Sequence, residues 1–176
     1  MKVLVFVKAT PMSEKGIVID DKFKQMFADM GKFNDQLIKA GIMQEADGLK
    51  PSSAGKRVVF SGDHVSVIDG PFVESKELVA GYWVWNVKSM DEALEWAKRC
   101  PNPMPGEEGV LELRPTNTMD DFAGLISDED KAKYAQMEKE MARKKKAKAA
   151  PKSKAKPKAK AKAKAKKKPT RAKAKK

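Results

Sequence analysis

Acidic and phenolic side chains lie close together in one stretch of the chain, where they could carry acid–base chemistry. Asp69, Glu74 and Tyr82 are the members of this group. Carboxylates held near one another raise the pKa of one of them, which suits a general acid, whereas the ammonium of Lys76 would oppose that shift. We therefore interpret Asp69, Glu74 and Tyr82 as candidate catalytic residues at the rim of a cleft.

Two cationic side chains are candidates for binding an anionic ligand at the same cleft. The guanidinium of Arg114 can hold a carboxylate through two parallel hydrogen bonds, and Lys76 adds a second positive charge. Structural alternatives stay open for two of these residues. Arg114 could form an ion pair with neighbours of Glu112 or with a glutamate of the motif, and Asp69 could fix the turn Asp69-Gly70-Pro71-Phe72 by accepting backbone N–H groups.

Other catalytic and metal-binding patterns are missing from the sequence. The one histidine, His64, lies on a predicted strand whose alternation puts it and Asp69 on opposite faces, so we do not expect them to form an acid–base pair. The one cysteine, Cys100, follows a predicted helix whose C-terminal dipole disfavours a thiolate. There is no Ser-His-Asp set, glycine-rich phosphate loop or His/Cys cluster, so we expect no metal site and no cofactor.

The last 34 residues, 143–176, form a polycationic segment. They hold 19 Lys or Arg, ten Ala and three Pro, with no acidic or aromatic residue. This composition predicts disorder, because the segment cannot bury enough apolar surface to offset its chain entropy. It resembles the Lys/Ala/Pro tails of linker histones, and lysines that neutralise phosphates bind nucleic acid regardless of its sequence. The lysines expected to contact phosphates are Lys144, Lys145, Lys146, Lys158, Lys160, Lys162, Lys164, Lys166, Lys167 and Lys168.

The first 142 residues have the opposite charge. They hold 18 basic and 24 acidic residues, a net charge of −6 within a chain whose total is +13. The N-terminal apolar run, residues 3–7, is too short for the core of a signal peptide, and no run reaches the roughly 18 apolar residues that span a membrane. We therefore expect a cytoplasmic protein without a membrane partner. Because of the basic segment, we also expect it to associate with the nucleoid of a bacterium.

Hydrophobic periodicity predicts an α+β domain. Residues 2–8 read as a strand buried on both faces, and residues 20–40 carry a stripe of Phe, Met, Leu and Ile that predicts a helix packed on a sheet. A Ser-x-x-Glu capping box at residues 89–92 opens a second helix. The remaining strands are expected at 42–50, 56–60, 64–68, 78–87 and 109–114.

This order of strands and helices favours a ferredoxin-like fold, which is an antiparallel sheet with both helices on one face. The strand at 78–87 carries Tyr82, Trp83 and Trp85, which puts large side chains on both faces of the sheet. A second copy is the simplest cover for the face without helices, so we expect a homodimer. Residues 117–142 read as a linker and a charged helix that reaches about Arg143, ahead of the basic segment.

Four stretches in matching order resemble the YciI-like, or YCII-related, family with its DGPF motif. Residues 69–72 reproduce that motif, while Gly48-Leu49-Lys50-Pro51, residues 91–97 (DEALEWA) and residues 112–115 (ELRP) resemble further family patterns. The resemblance covers residues 1–116. It implies a dimeric α+β barrel with a cleft in which some relatives carry a His–Asp pair, and it implies no established activity for most members.

Two functions stay open from the sequence. In the first, the YciI-like dimer has no defined reaction and its basic segment tethers it to DNA or another polyanion, since two tails on one dimer raise the avidity. In the second, the domain is an enzyme that acts on a small ligand through cleft carboxylates, with the tail as an accessory. Removal of the tail separates them, because only the second function would survive it.

Overall fold

The computed structural model describes residues 1–16, 18–73 and 77–149. The chain forms a first compact unit, Met1–Asp121, and a second unit that starts at Phe122. No helix in the described part of the chain is long and apolar enough to cross a membrane. The disorder predicted for the basic segment beyond Ala149 lies outside the described residues, as do its lysines from Lys158 to Lys168.

The first unit mixes strands and helices, which confirms the predicted α+β class. Its paired strands are antiparallel, and its helices lie between strands along the chain. In chain order the elements are β1 (Lys2–Lys8), α1 (Pro11–Glu14), α2 (Asp21–Lys39), β2 (Met43–Gly48), β3 (Lys56–Ser61), β4 (His64–Asp69), β5 (Val79–Asn86), α3 (Met90–Lys98) and β6 (Leu111–Pro115).

Four of the strands form the main sheet in the order β2-β5-β1-β6. All three pairings are antiparallel, and Val5 of β1 lies opposite Trp83 of β5 and Leu113 of β6. With α2 joining β1 to β2 and α3 joining β5 to β6, this is the ferredoxin-like connectivity that the order of elements predicted. Strands β3 and β4 stand apart as a separate two-stranded hairpin.

The core lies on one face of the main sheet. Val3, Val5 and Val7 of β1 are buried there together with Phe33 and Leu37 of α2. Because side chains alternate along a strand, the remaining residues of β1 point to the other face, where they keep partial exposure. The prediction that β1 is buried on both faces was therefore wrong, since none of the helices described in this unit covers the second face.

The two tryptophans of β5 belong to the helix-covered face. Trp83 and Trp85 are 5% and 0% exposed, and both rings make edge contacts with Phe33, with centroids 6.5 and 6.4 Å apart. The expectation that large residues of this strand form an open, dimer-forming face is wrong for these two tryptophans. The alternation of β5 directs them inward and leaves Tyr82 and Val84 on the open face.

Local signals explain where α2 begins and ends. The carboxylate of Asp20 accepts the backbone N–H of Phe23 at 2.8 Å, and Gly41 adopts φ +72° just after the last turn, a conformation that glycine tolerates best. Only the C-terminal half of the predicted stripe packs on the sheet. In the first half, Phe27 is 70% exposed and Met26 lines a cavity.

The second unit contains the charged helix α4 (Asp128–Ala149). The hydroxyl of Ser127 accepts the N–H of Asp130 at 3.1 Å and so caps the N-terminus of this helix. The helix runs six residues past Arg143, into the segment whose composition predicts disorder. Lysine and alanine are good helix formers, and the first proline of the segment is Pro151, so the helix can continue that far.

Candidate functional site

The first DGPF residue, Asp69, pairs with a lysine on the neighbouring strand. Asp69 ends β4 directly opposite Lys56 of β3, and its exposed carboxylate forms an ion pair with the Lys56 ammonium. The turn that follows is held by other groups. The N–H of Gly70 donates to the carbonyl of Gly55 at 3.1 Å, and the N–H of Phe72 donates to the hydroxyl of Ser52 at 3.1 Å.

Tyr82 and Arg114 lie on the open face of the main sheet. The Tyr82 hydroxyl donates to Glu45 at 3.2 Å, and this hydrogen bond raises the pKa of Tyr82 above its ordinary value. The Nε of Arg114 is 3.9 Å from Glu112, whose other oxygen is 3.3 Å from the ammonium of Lys8. Arg114 therefore lies in an ion pair as the structural alternative expects, but its partner is Glu112 itself.

The structure distributes the predicted site residues over two places. Asp69 lies on the β3–β4 hairpin, whereas Tyr82 and Arg114 belong to the main sheet. Glu74 and Lys76 lie outside the described residues, so their catalytic and ligand-binding roles stay predictions. His64 begins β4, at the opposite end from Asp69, and the strand pairs with β3 without a bulge.

A cavity of about 530 Å³ opens in the first unit at a different place. Its walls come from the loop and short helix after β1, the first half of α2, the stretch that follows β2, and residues 103–107. Most of the lining is apolar. The largest apolar side chains on its walls are Met12, Phe23, Met26, Leu49 and Met104.

A few polar side chains line the same cavity, with Glu14 at the end of α1 and Lys50 after β2. Helix α1 is short but firmly capped. Thr10 accepts the N–H of Ser13 at 3.2 Å, and Ser13 accepts the N–H of Thr10 at 2.9 Å. This reciprocal capping box fixes the direction in which Glu14 leaves the helix.

The carboxylate of Glu14 connects the cavity to the DGPF turn. Its Oε2 accepts the backbone N–H of Ser52 at 2.9 Å and also accepts the Ser52 hydroxyl. That hydroxyl in turn accepts the N–H of Phe72, the last residue of the motif. The DGPF turn therefore holds Ser52 in place, and Ser52 in turn holds Glu14 at the wall of the cavity.

Sequence reasoning did not identify Glu14 or Lys50 as site residues. Glu14 is 38 residues away from its partner Ser52, and no local pattern signals that contact. The only available signal was the family-like stretch Gly48-Leu49-Lys50-Pro51, all four residues of which line the cavity. An apolar cavity with a few convergent polar groups is the usual form of a small-molecule site.

Cys100 and the acidic residues offer no further centre in the described part of the chain. Burial raises the pKa of the Cys100 thiol to about 12, so the thiolate needed for nucleophilic attack is scarce at neutral pH. The raised pKa agrees with the prediction that Cys100 is not a nucleophile. Its cause is burial, whereas the prediction rested on the dipole of the preceding helix. Among the residues at 1–16, 18–73 and 77–149, no group of three or more His, Cys, Asp or Glu could hold a metal ion.

Comparison with known proteins places residues 1–117 in a family of domains. A family model described as the YCII-related domain matches residues 1–117, which include every element from β1 to β6. An uncharacterized protein of Rhizobium meliloti (strain 1021) is 30% identical over 92 residues, covering 52% of this chain and 73% of that protein. One solved structure also aligns with this chain, that of 5-chloro-2-hydroxyhydroquinone dehydrochlorinase from Burkholderia phenoliruptrix AC1100 in complex with 2,5-dihydroxybenzoquinone. The alignment covers 68% of this chain and 98% of that one, with 14% sequence identity and a TM-score of 0.37.

Proposed function

Because the chain belongs to the YCII-related domain family, we propose that its first unit binds a small, mainly apolar molecule in the cavity beside Glu14. We propose in addition that the basic C-terminal segment attaches this unit to nucleic acid. The cavity is the observation that supports ligand binding, and the positive charge of the segment supports attachment to nucleic acid.

The size and lining of the cavity support a small ligand. Its volume of about 530 Å³ falls in the range of sites for small molecules, roughly 300–1,000 Å³. Met12, Met26 and Met104 contribute flexible, polarisable side chains that adapt to the shape of an apolar ligand. The charged groups of Glu14 and Lys50 then orient the polar end of that ligand.

A catalytic use of the cavity is the second candidate function. The observation that favours it is the carboxylate of Glu14, which lines an apolar cavity and is held in place by Ser52. A positioned carboxylate can take a proton from a bound molecule or return one to it, as general acid–base catalysis requires. The carboxylates of this alternative would be Glu14 and Glu107, which line the cavity, in place of Asp69.

The charge distribution supports attachment to nucleic acid. Residues 143–176 carry 19 positive charges, and the segment contains no acidic residue that could neutralise them. The first 142 residues carry a net charge of −6, which repels phosphate. Lys144, at the start of the segment, is exposed on α4. Attachment of this kind would place the protein at the nucleoid of a bacterial cell.

Filling the cavity should block the binding of an apolar probe. We expect the full chain to bind the neutral fluorescent dye N-phenyl-1-naphthylamine, and we expect Met26→Trp to weaken that binding by about tenfold or more, because the larger ring occupies the site. A fluorescence titration measures both affinities, and thermal melting checks that the variant folds.

The matched control for this titration is Phe27→Trp. It introduces the same ring at the next position of α2, where the native side chain is 70% exposed and does not line the cavity. Its affinity for the dye should equal that of the wild type. Equal affinities for Met26→Trp and Phe27→Trp would show that the dye binds elsewhere, and would refute the cavity as the ligand site.

A further inference from the structure

One oxygen of the Glu14 carboxylate is available to a ligand. The other oxygen, Oε2, accepts both the backbone N–H and the hydroxyl of Ser52. Within residues 1–16, 18–73 and 77–149, no group donates a hydrogen bond to Oε1 of Glu14 and no cation pairs with it. Because Glu14 is half-buried and lines the cavity, Oε1 can accept a hydrogen bond from a molecule bound there.

The two hydroxyl groups on the same wall of the cavity already have acceptors inside the protein. The Thr10 hydroxyl donates to the sulfur of Met104 at 3.9 Å, and the Ser13 hydroxyl donates to the Thr10 carbonyl at 3.0 Å. Neither hydroxyl therefore competes with a ligand for Oε1 of Glu14.

Carboxylates outnumber cations on the wall of the cavity. Glu14 and Glu107 lie there together with one cation, Lys50. Lys50 is exposed, so its ammonium can stay hydrated, whereas the two glutamates are half-buried. This balance disfavours a ligand that brings its own negative charge into a mostly apolar cavity, because charges are weakly screened there.

We propose that the cavity selects a neutral molecule with an apolar body and one hydroxyl or N–H group, which donates to Oε1 of Glu14. A hydrogen bond to an ionised carboxylate is stronger than one between neutral groups, so this contact favours a donor on the ligand. Ser52 is the positioning residue, since it holds Oε2 and leaves little side-chain freedom to be lost on binding. The inference rests on the proposed function and adds the chemical class of the ligand.

Three naphthalene derivatives that differ in one substituent test this selection. At pH 7, 2-naphthol offers a neutral O–H donor, 2-methoxynaphthalene has an acceptor oxygen without a donor, and 2-naphthoate carries a negative charge. We expect the full chain to bind 2-naphthol about tenfold or more tightly than either of the other two compounds. Isothermal titration calorimetry measures the three affinities.

Glu14→Gln should remove the preference for a donor. The amide oxygen of the glutamine can keep both hydrogen bonds from Ser52, which leaves the amide NH₂ group to face the ligand, and that group donates instead of accepting. The ratio of the affinities for 2-naphthol and 2-methoxynaphthalene should fall to about 1 or below. Because the two side chains have nearly the same shape, this change would not arise from the larger size of the methoxy group.

Glu108→Gln is the matched control for Glu14→Gln. It removes the same charge from an exposed residue that does not line the cavity, so the ratio should stay at the wild-type value. Thermal melting checks that both variants fold. Similar wild-type affinities for the three compounds, tightest binding of 2-naphthoate, or an unchanged ratio in Glu14→Gln would overturn the inference and leave the cavity as a ligand site. If neither these compounds nor N-phenyl-1-naphthylamine bound, the proposed function would fail together with the inference.

Discussion

Removal of residues 143–176 is expected to abolish binding of the chain to duplex DNA. The full chain should bind with a steep dependence on salt, because each lysine that neutralises a phosphate releases condensed counterions. If about eight lysines contact phosphates, the log–log slope is about −7, which means a loss of about four decades in affinity between 50 and 200 mM salt. Salt titrations of the full chain and of residues 1–142 measure this effect.

Two controls separate the charge of the segment from its mere presence. Replacing the seven lysines from Lys158 to Lys168 by glutamine keeps the length of the segment and should flatten the slope, because fewer phosphates are then neutralised. Two duplexes of unrelated sequence should bind equally, since hydrogen bonds and ion pairs to phosphate carry no sequence information. Equal affinity of the full and truncated chains, or a slope near zero, would contradict attachment through the segment.

Gly70→Ala is expected to cause a large loss of stability. A Cβ at this position would lie 1.8 Å from the carbonyl oxygen and 2.7 Å from the carbonyl carbon of Ser52, and both atoms belong to the backbone. Since the backbone of Ser52 is hydrogen-bonded to Glu14, the clash has no easy relief. We expect the free energy of unfolding to fall by about 3 kcal/mol, as overpacking of this kind does in other proteins.

Gly31→Ala is the matched control for this substitution. Apart from the adjoining backbone of α2 itself, no atom lies within 4 Å of a Cβ at Gly31, which sits in the middle of α2. The alanine should therefore raise the stability by up to about 1 kcal/mol, because glycine is a poor helix former. Chemical denaturation of both variants measures the two changes. A Gly70→Ala protein as stable as the wild type would mean that the contact between the DGPF turn and Ser52 is not tight in solution.

Local sequence patterns were enough to locate most elements of the first unit. The apolar stripe of residues 20–40 predicted α2. The capping box at residues 89–92 predicted where α3 begins, because a capping side chain acts within three residues of its partner. The strong strand signal around Trp83 and Trp85 predicted β5. Which face each tryptophan would occupy depends on the packing of Phe33, far away in sequence, and the pattern alone did not resolve it.

The candidate site was much less predictable. Sequence reasoning selected titratable residues near the DGPF motif, but the structure places Asp69 in an ion pair on the hairpin and Tyr82 on the open face of the sheet. The cavity instead depends on interactions between distant segments, such as the hydrogen bond from Ser52 to Glu14. Such interactions arise from the assembly of the whole unit and leave no periodic signal.

The most direct test of the central claim is a crystal structure of the full chain with N-phenyl-1-naphthylamine bound. We expect the dye between α1, the first half of α2 and residues 48–51, in contact with Met26 and Leu49, with Glu14 still hydrogen-bonded to Ser52. Dye bound on the β3–β4 hairpin or on the open face of the main sheet, with the cavity unoccupied, would contradict the assignment of the cavity as the ligand site.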